Sequence, residues 1–437
     1  MIGAARRDEI VAALRRGTVP SSGLGALAVG IDTLAPTLDE ELGAVAAGHC
    51  SFKAVRGEYG TGKTFFGRWL QERARASGFA ATEVQINETE TPLHRLETVY
   101  RRLVDNLGTT DTARGAFRGI VDGWFYALEQ DVLADSSVDP NDAEALLART
   151  NVLMEARLAS ISETAPAFSA VLRTYRRAMA NGDSALAEGL IGWLAGQPNV
   201  AASVKRAAAI KGELDHFGAA SFLAGLLIIL RDSGYSGLLL VLDEVETLQR
   251  MRTDTRDKGL NALRQWLDEI DAKRYPGLYL VITGTPAFFD GPQGVQRLAP
   301  LAQRLHVDWD TDRRFDNPRA VQIRLAAFDQ GSLLAVGQRV RDIYAQGRPN
   351  EQRLRSIVDD SYLETLGHAV AGSLGGKVGV APRLYLKKLV AVVLDRVDLH
   401  PDFDPRSHYR LTLSEGEMSV SERAAAAAHS VDDIELP

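Results

Sequence analysis

Gly57-Glu58-Tyr59-Gly60-Thr61-Gly62-Lys63-Thr64 is the stretch that decides how this chain is read. Its fixed positions follow the pattern G-x-x-x-x-G-K-[ST], in which glycines let successive backbone N–H groups turn inward around phosphate oxygens. The residues just before it, 52–56, are a short apolar-rich run, and those just after it, FFGRWLQERARAS, have helical periodicity that stops at Gly78. Strand, glycine loop and helix therefore follow in order, and the helix points its positive N-terminal end at the same phosphates. In such a cradle Lys63 bridges the outer phosphates and the Thr64 hydroxyl reaches Mg²⁺. Gly57, Glu58, Tyr59, Gly60, Thr61, Gly62, Lys63, Thr64 and Phe65 are the expected nucleotide-contacting run, and ATP with Mg²⁺ the expected ligand.

Residues 79–87 alternate as a second strand, and Leu238-Leu239-Leu240-Val241-Leu242 has the continuous hydrophobicity of a parallel strand buried on both faces. That strand delivers Asp243 and Glu244 at its C-terminal end, the edge where open parallel sheets bind ligands. Asp243 is placed to hold Mg²⁺ through its water shell, and Glu244 to activate the attacking water. Two acids after a strand also serve as a helix N-cap; the glycine loop upstream favours the catalytic reading. A further buried run, 278–283, ends in Thr283-Gly284-Thr285-Pro286. Thr283 first, and Thr285 second, are candidates to touch the γ-phosphate or the water; the competing reading is a cap on the turn at Pro286. Asn87 has two readings, a hold on Glu244 or an ordinary loop residue.

The fold class is α/β, a P-loop NTPase core with a parallel sheet, a large helical insertion and a small C-terminal helical lid. Residues 1–50 supply N-terminal helices, at 8–16 and 37–47, around a Gly-, Pro- and Ser-rich loop. The core spans 51–310, and its insertion, at about 91–235, reads as helices at 93–107, 112–128, 142–157, 165–180 and 183–195. The lid, 311–400, is expected to hold helices at 318–328, 332–346, 351–371 and 382–395. A mobile tail is expected at 401–437, with an alanine run at 424–428 and an acidic end. In the last lid helix Arg383 either presents a fork of donors to the γ-phosphate or begins a solvated basic helix. Arg297, Arg304, Arg313 and Arg314 follow the 278–283 strand closely enough for one to reach a neighbouring subunit's site.

Composition narrows the class of protein. A chain of 437 residues, 45% of them hydrophobic and 24% charged, suits a globular protein with a large core. A net charge of −7 argues against adhesion to nucleic acid over the whole surface and leaves room only for a local basic patch. The single cysteine, Cys50, allows no internal disulfide and is expected to pack beside the first core strand. No run approaches a membrane span, and the basic opening lacks an apolar signal core, so a cytoplasmic location is expected.

Glycine loop, Asp-Glu strand, Thr-ended strand and Pro382-Arg383 helix, in this order, resemble an AAA+ ATPase of the origin-recognition or STAND-like branch. The words LRRGTVPSSGLGALAVG, GEYGTGKTFF, VLDEVETL and YLVITGTP look like the ATP-binding protein of bacteriophage-exclusion (BREX) islands, BrxD type, over most of residues 10–395. The resemblance implies that Thr283 matches sensor 1 and Arg383 sensor 2, and that Val19 and Pro20 line the adenine pocket. It also implies a component of antiviral defence working with a helicase, nuclease or copies of itself. Only 54 residues follow Arg383, little room for a DNA-binding winged helix, and the insertion is foreign to a minimal AAA+ core. Two functions stand: an ATP-hydrolysing switch or machine that controls a protein or DNA-processing partner, and a nucleotide-gated binding module with little turnover. A metabolic kinase is weaker, because no acceptor-substrate motif is present.

Overall fold

The computed structural model describes residues 2–426 other than 32, 136, 137, 140, 310, 311, 375–378, 380, 381, 419–421, 424 and 425. The acidic end and most of the alanine run therefore lie outside the described residues.

The apolar runs form the strands they predict: β1 (Ser51–Arg56), β2 (Ala80–Gln85), β3 (Leu238–Asp243) and β4 (Leu278–Gly284). A fifth, β5 (Gln322–Arg324), completes one sheet in the order β2-β3-β4-β1-β5, every pairing parallel. Side chains alternate across a strand. Leu238, Leu240 and Leu242 accordingly enter the core shared with the long helical segment, while Leu239 and Val241 enter the core under α2 (Ala35–Ala46) and α3 (Lys63–Ala76). The strand ends are flush: Val55 pairs with Thr283, Leu242 with Ile282 and Gln85 with Asp243. The glycine loop after β1 and the acids after β3 thus open onto one edge.

Residues 318–328, expected as a helix, instead hold β5. The Lys53 side chain, 1% exposed, donates to the Pro318 and Ala320 carbonyls at 3.1 and 2.7 Å, and β1 takes up the backbone of Val321 and Leu325. Carbonyls committed to a buried ammonium and to a strand ladder are not free to close helical turns.

Between β2 and β3 run eight helices of the described residues, among them α4 (Leu96–Asp105), Phe117–Ala134, Pro166–Ala180 and His216–Asp232. The last has no counterpart in the sequence reading. Trp124, Tyr175, Phe168 and Phe222 of this segment share one continuous core with Leu238 and Leu240 of the sheet. Cys50 packs, half-buried, against that core.

A separate core gathers Leu333, Val340, Leu363, Leu384 and Val390 from the C-terminal helices together with Ile10, Val11 and Leu14 of α1 (Ala4–Arg16). The single helix expected at 351–371 is two, Glu351–Ile357 and Asp360–Gly372, because Asp359 accepts from Tyr362 N–H and caps the second. The helix from Pro382 relaxes into a π-turn at Leu389–Leu394 before ending at Leu399. Much of the expected mobile tail is packed. Phe403, Tyr409, Leu411 and Leu413 lie against this core, and Arg353 donates to the His400 and Phe403 carbonyls at 3.0 Å each.

Candidate functional site

Gly60 and Gly62 carry the loop through φ of 84° and 89°, a region L side chains avoid, and Gly62 caps α3 in this conformation. Lys63 then begins α3 with its ammonium folded back into the loop. It donates to the Gly57 and Glu58 carbonyls at 2.8 and 3.3 Å and lies over the Tyr59 ring at 5.0 Å. The Thr64 hydroxyl donates to Asp243 Oδ2 at 3.0 Å. Hydroxyl and carboxylate oxygens are the hard donors Mg²⁺ prefers, and these two converge beside the loop, so the pair fits such an ion.

Asp243 is 3% exposed, and its other oxygen accepts from the Thr283 hydroxyl and from Glu244 N–H, the latter at 3.1 Å. Glu244 sits at φ 60°, ψ 40°, a left-handed conformation unusual for a residue other than glycine. Such outliers persist where surrounding structure fixes them. Here Gln85 Nε2 donates to Glu244 Oε2 at 2.8 Å, and Thr283 Oγ1 lies 3.3 Å from Glu244 N–H.

One cavity of about 370 Å³ joins these groups. The residues of the loop from Tyr59 to Phe65, with Asp243 and Glu244, line its polar end, and Val19, Pro20, Ile31, Phe328 and Leu386 its apolar end. Arg383 completes the wall from the C-terminal helices.

A family model described as BREX system ATP-binding protein BrxC/D matches residues 2–413 of the 437. The chain belongs to this family. Membership supports a role in a BREX phage-defence system and implies nucleotide binding. No curated protein and no solved structure gives a match. No helix among the described residues of this BrxC/D-family chain is long and apolar enough to cross a membrane.

The other residues singled out in the sequence each have defined partners. Thr283 is fully buried and its hydroxyl donates to Asp243, and Thr285, 3% exposed, begins the short helix Pro286–Asp290. Asn87 does not touch Glu244: its Oδ1 accepts from the N–H groups of Thr89, Glu90 and Thr91, an ordinary loop role, while Gln85 two residues earlier makes the contact expected of it. Arg383 is engaged by Glu422 and donates to the Glu417 carbonyl at 2.6 Å. Arg297 pairs with Asp257, Arg304 with Asp268, Arg314 with Asp312, and Arg313 donates to the Leu325 carbonyl.

Three contributors escaped the sequence reading. Glu246, 4% exposed, lines the cavity with Oε1 3.6 Å from Lys63 Nζ, and its Oε2 has no hydrogen-bond partner among the described residues. Burial pushes its carboxyl above the usual range; the Lys63 charge pulls the other way, and Asp243 and Glu244 add to the rise. On α3, Glu72 accepts from the N–H groups of Gly23, Leu24 and Gly25, and Arg68 donates to the Val19 carbonyl at 3.1 Å. These two fix the loop that carries Val19 and Pro20. The only signal available was the third acid in Asp243-Glu244-Val245-Glu246.

Proposed function

We propose that this chain binds MgATP in the cavity and hydrolyses it, as an AAA+ type component of a BREX system whose nucleotide state controls a protein or DNA-processing partner. The observation that carries the reading is the convergence, on one cavity, of the glycine loop, the Thr64–Asp243 pair, Glu244, an apolar end and an arginine from a separate helical core.

The residues divide the work by chemistry. The N–H groups of the loop and the α3 N-terminus receive phosphate oxygens, and Lys63 exchanges its carbonyl partners for the outer phosphates. The base lies between Val19, Pro20 and Leu386, where apolar surface is removed from water. Thr64 and Asp243 would hold Mg²⁺, which supplies charge neutralisation at the phosphates when bound. Glu244 orients a water and accepts its proton, and Thr283 keeps Asp243 aimed by bonding its second oxygen. Arg383, a lid arginine in this reading, leaves Glu422 for the γ-phosphate when the C-terminal helices close.

Steady-state phosphate release by the full chain, with and without double-stranded DNA, tests the proposal. Turnover lost in both Lys63→Ala and Glu244→Gln, with ATP binding kept in Glu244→Gln, supports it.

A second reading, a nucleotide-gated module with little turnover, is favoured by the ties on the machinery: Glu244 to Gln85, Lys63 to Gly57 and Glu246, Arg383 to Glu422. Tight ATP binding with almost no phosphate release from the unsubstituted chain selects it.

A further inference from the structure

Beyond the nucleotide cavity, a cleft of about 630 Å³ lies beside the edge strand β2, between α3 and the loop that follows α4. Four arginines enter it, Arg68, Arg75, Arg102 and Arg114, against two acids, Glu83 and Glu90. Two of the four are neutralised locally. Arg102 pairs with Glu90 at 2.8 Å, and Arg68 with Glu83 at 3.6 Å, where Gln71 also donates to Glu83.

The other two are not. Among the described residues neither Arg75 nor Arg114 has a carboxylate within ion-pair distance. Arg75 Nε is buried with no hydrogen-bond partner, and Nη2 makes only long contacts, 3.3 Å to Gln71 and 3.5 Å to the Ala81 carbonyl. Glu72, the nearest other acid on α3, is occupied by three backbone N–H groups. Burial holds the Arg75 guanidinium below its usual range and the Arg114 charge lowers it further, while the Glu72 and Glu83 charges pull the other way.

The fold enforces this proximity of like charges. Gly108 exchanges both backbone hydrogen bonds with Ala81 on β2 at 2.9 Å, and the Thr110 hydroxyl donates to the Arg75 carbonyl at 3.0 Å. A side chain at Gly108 would meet the Ala113 carbonyl at 2.2 Å, so glycine is what lets the loop fold tightly there. The loop that carries Arg114 is thus stitched to the edge strand and to α3 rather than swinging free.

Two guanidiniums held in one cleft with no ion-paired acid of their own are matched by an anion, and their planar forks match phosphate oxygens best. We propose that this cleft is a second ligand site, which takes a phosphate group between Arg75 and Arg114. It is separate from the nucleotide cavity, yet two of its lining residues touch that machinery: Arg68 holds the Val19 carbonyl, and Gln85 holds Glu244.

The phosphate group belongs either to a nucleic-acid backbone or to a small free phosphate, and two probes separate these. With the nucleotide cavity saturated by MgADP, the full chain is titrated with inorganic phosphate by calorimetry and with a fluorescent 12-nucleotide single strand by anisotropy. At least one probe binds; the strand alone identifies a backbone source, and phosphate alone a small one. Arg114→Gln, at an exposed position that leaves the fold intact, weakens the bound probe at least tenfold. Arg75→Gln with Arg114→Gln abolishes binding, and Arg149→Gln, which removes an equal charge elsewhere, leaves it unchanged. Failure of both probes to bind, or equal affinity in Arg114→Gln and the unsubstituted chain, overturns the proposal. Neither result depends on whether ATP is hydrolysed.

Discussion

Lys63 Nζ lies 3.6 Å from Glu246 Oε1, so the ammonium expected to grip phosphate already faces an acid inside its own cavity. Glu246 is buried and its carboxyl is raised by that burial, with Lys63 as the opposing influence. When phosphate draws Lys63 away, the carboxyl rises further and takes up a proton. Nucleotide affinity then weakens as pH climbs from the free-state value of Glu246 toward its bound-state value. Calorimetry in buffers of different ionisation heat should show proton uptake on ADP binding, and none in Glu246→Gln. The same variant should bind ADP about three- to tenfold tighter at neutral pH, roughly 0.6–1.4 kcal/mol, since a competitor for Lys63 has lost its charge.

Gln85 donates to Glu244 Oε2 at 2.8 Å and so occupies one of the two oxygens that would accept a proton from water. Gln85→Ala should raise kcat for phosphate release roughly two- to tenfold and leave the KM for ATP unchanged, an effect of about 0.4–1.4 kcal/mol on the barrier. A fall in kcat would instead make Gln85 a residue that aims Glu244 for the reaction.

Thr283→Val removes the hydroxyl behind Asp243 and keeps the shape. Loss of a buried hydrogen bond to a charged group should cost about 1.5–3 kcal/mol of stability, read by denaturant unfolding. The Mg²⁺ concentration needed for half-maximal ATP binding should rise with it, because Asp243 is no longer held from behind.

Glu422 holds the guanidinium of Arg383. Glu422→Gln should strengthen ATP binding more than ADP binding, by about twofold to fivefold, as the freed arginine meets a charge only ATP carries. Equal gains for both nucleotides would remove Arg383 from the γ-phosphate.

The glycine loop and the strands ending in Asp243 and Thr283 were legible because their signals are local. Each is an unbroken apolar run or a fixed motif, and a strand buried on both faces writes its burial into consecutive residues. Gln322-Ile323-Arg324 carries no such run. It becomes a strand through β1 and the Lys53 ammonium, 269 positions before its first residue, which no window of sequence contains. The helix His216–Asp232 was lost for a related reason: apolar residues occupy nearly its whole circumference, so no amphipathic stripe marks it. Within the site, Gln85 rather than Asn87 reaches Glu244 because β2 closes at Gln85, opposite Asp243, a matter of register. Glu246 needed the turn after Glu244 to bring it under Lys63.

The helix α1 packs with the C-terminal helices, although the chain between them builds the entire sheet. That helical body is therefore joined to the sheet by two covalent straps, the segment after Gly17 and the segment after β5, and both straps border the nucleotide cavity. Both crossings of the chain between sheet and helical body therefore pass the same occupant, like two cords drawn through one ring.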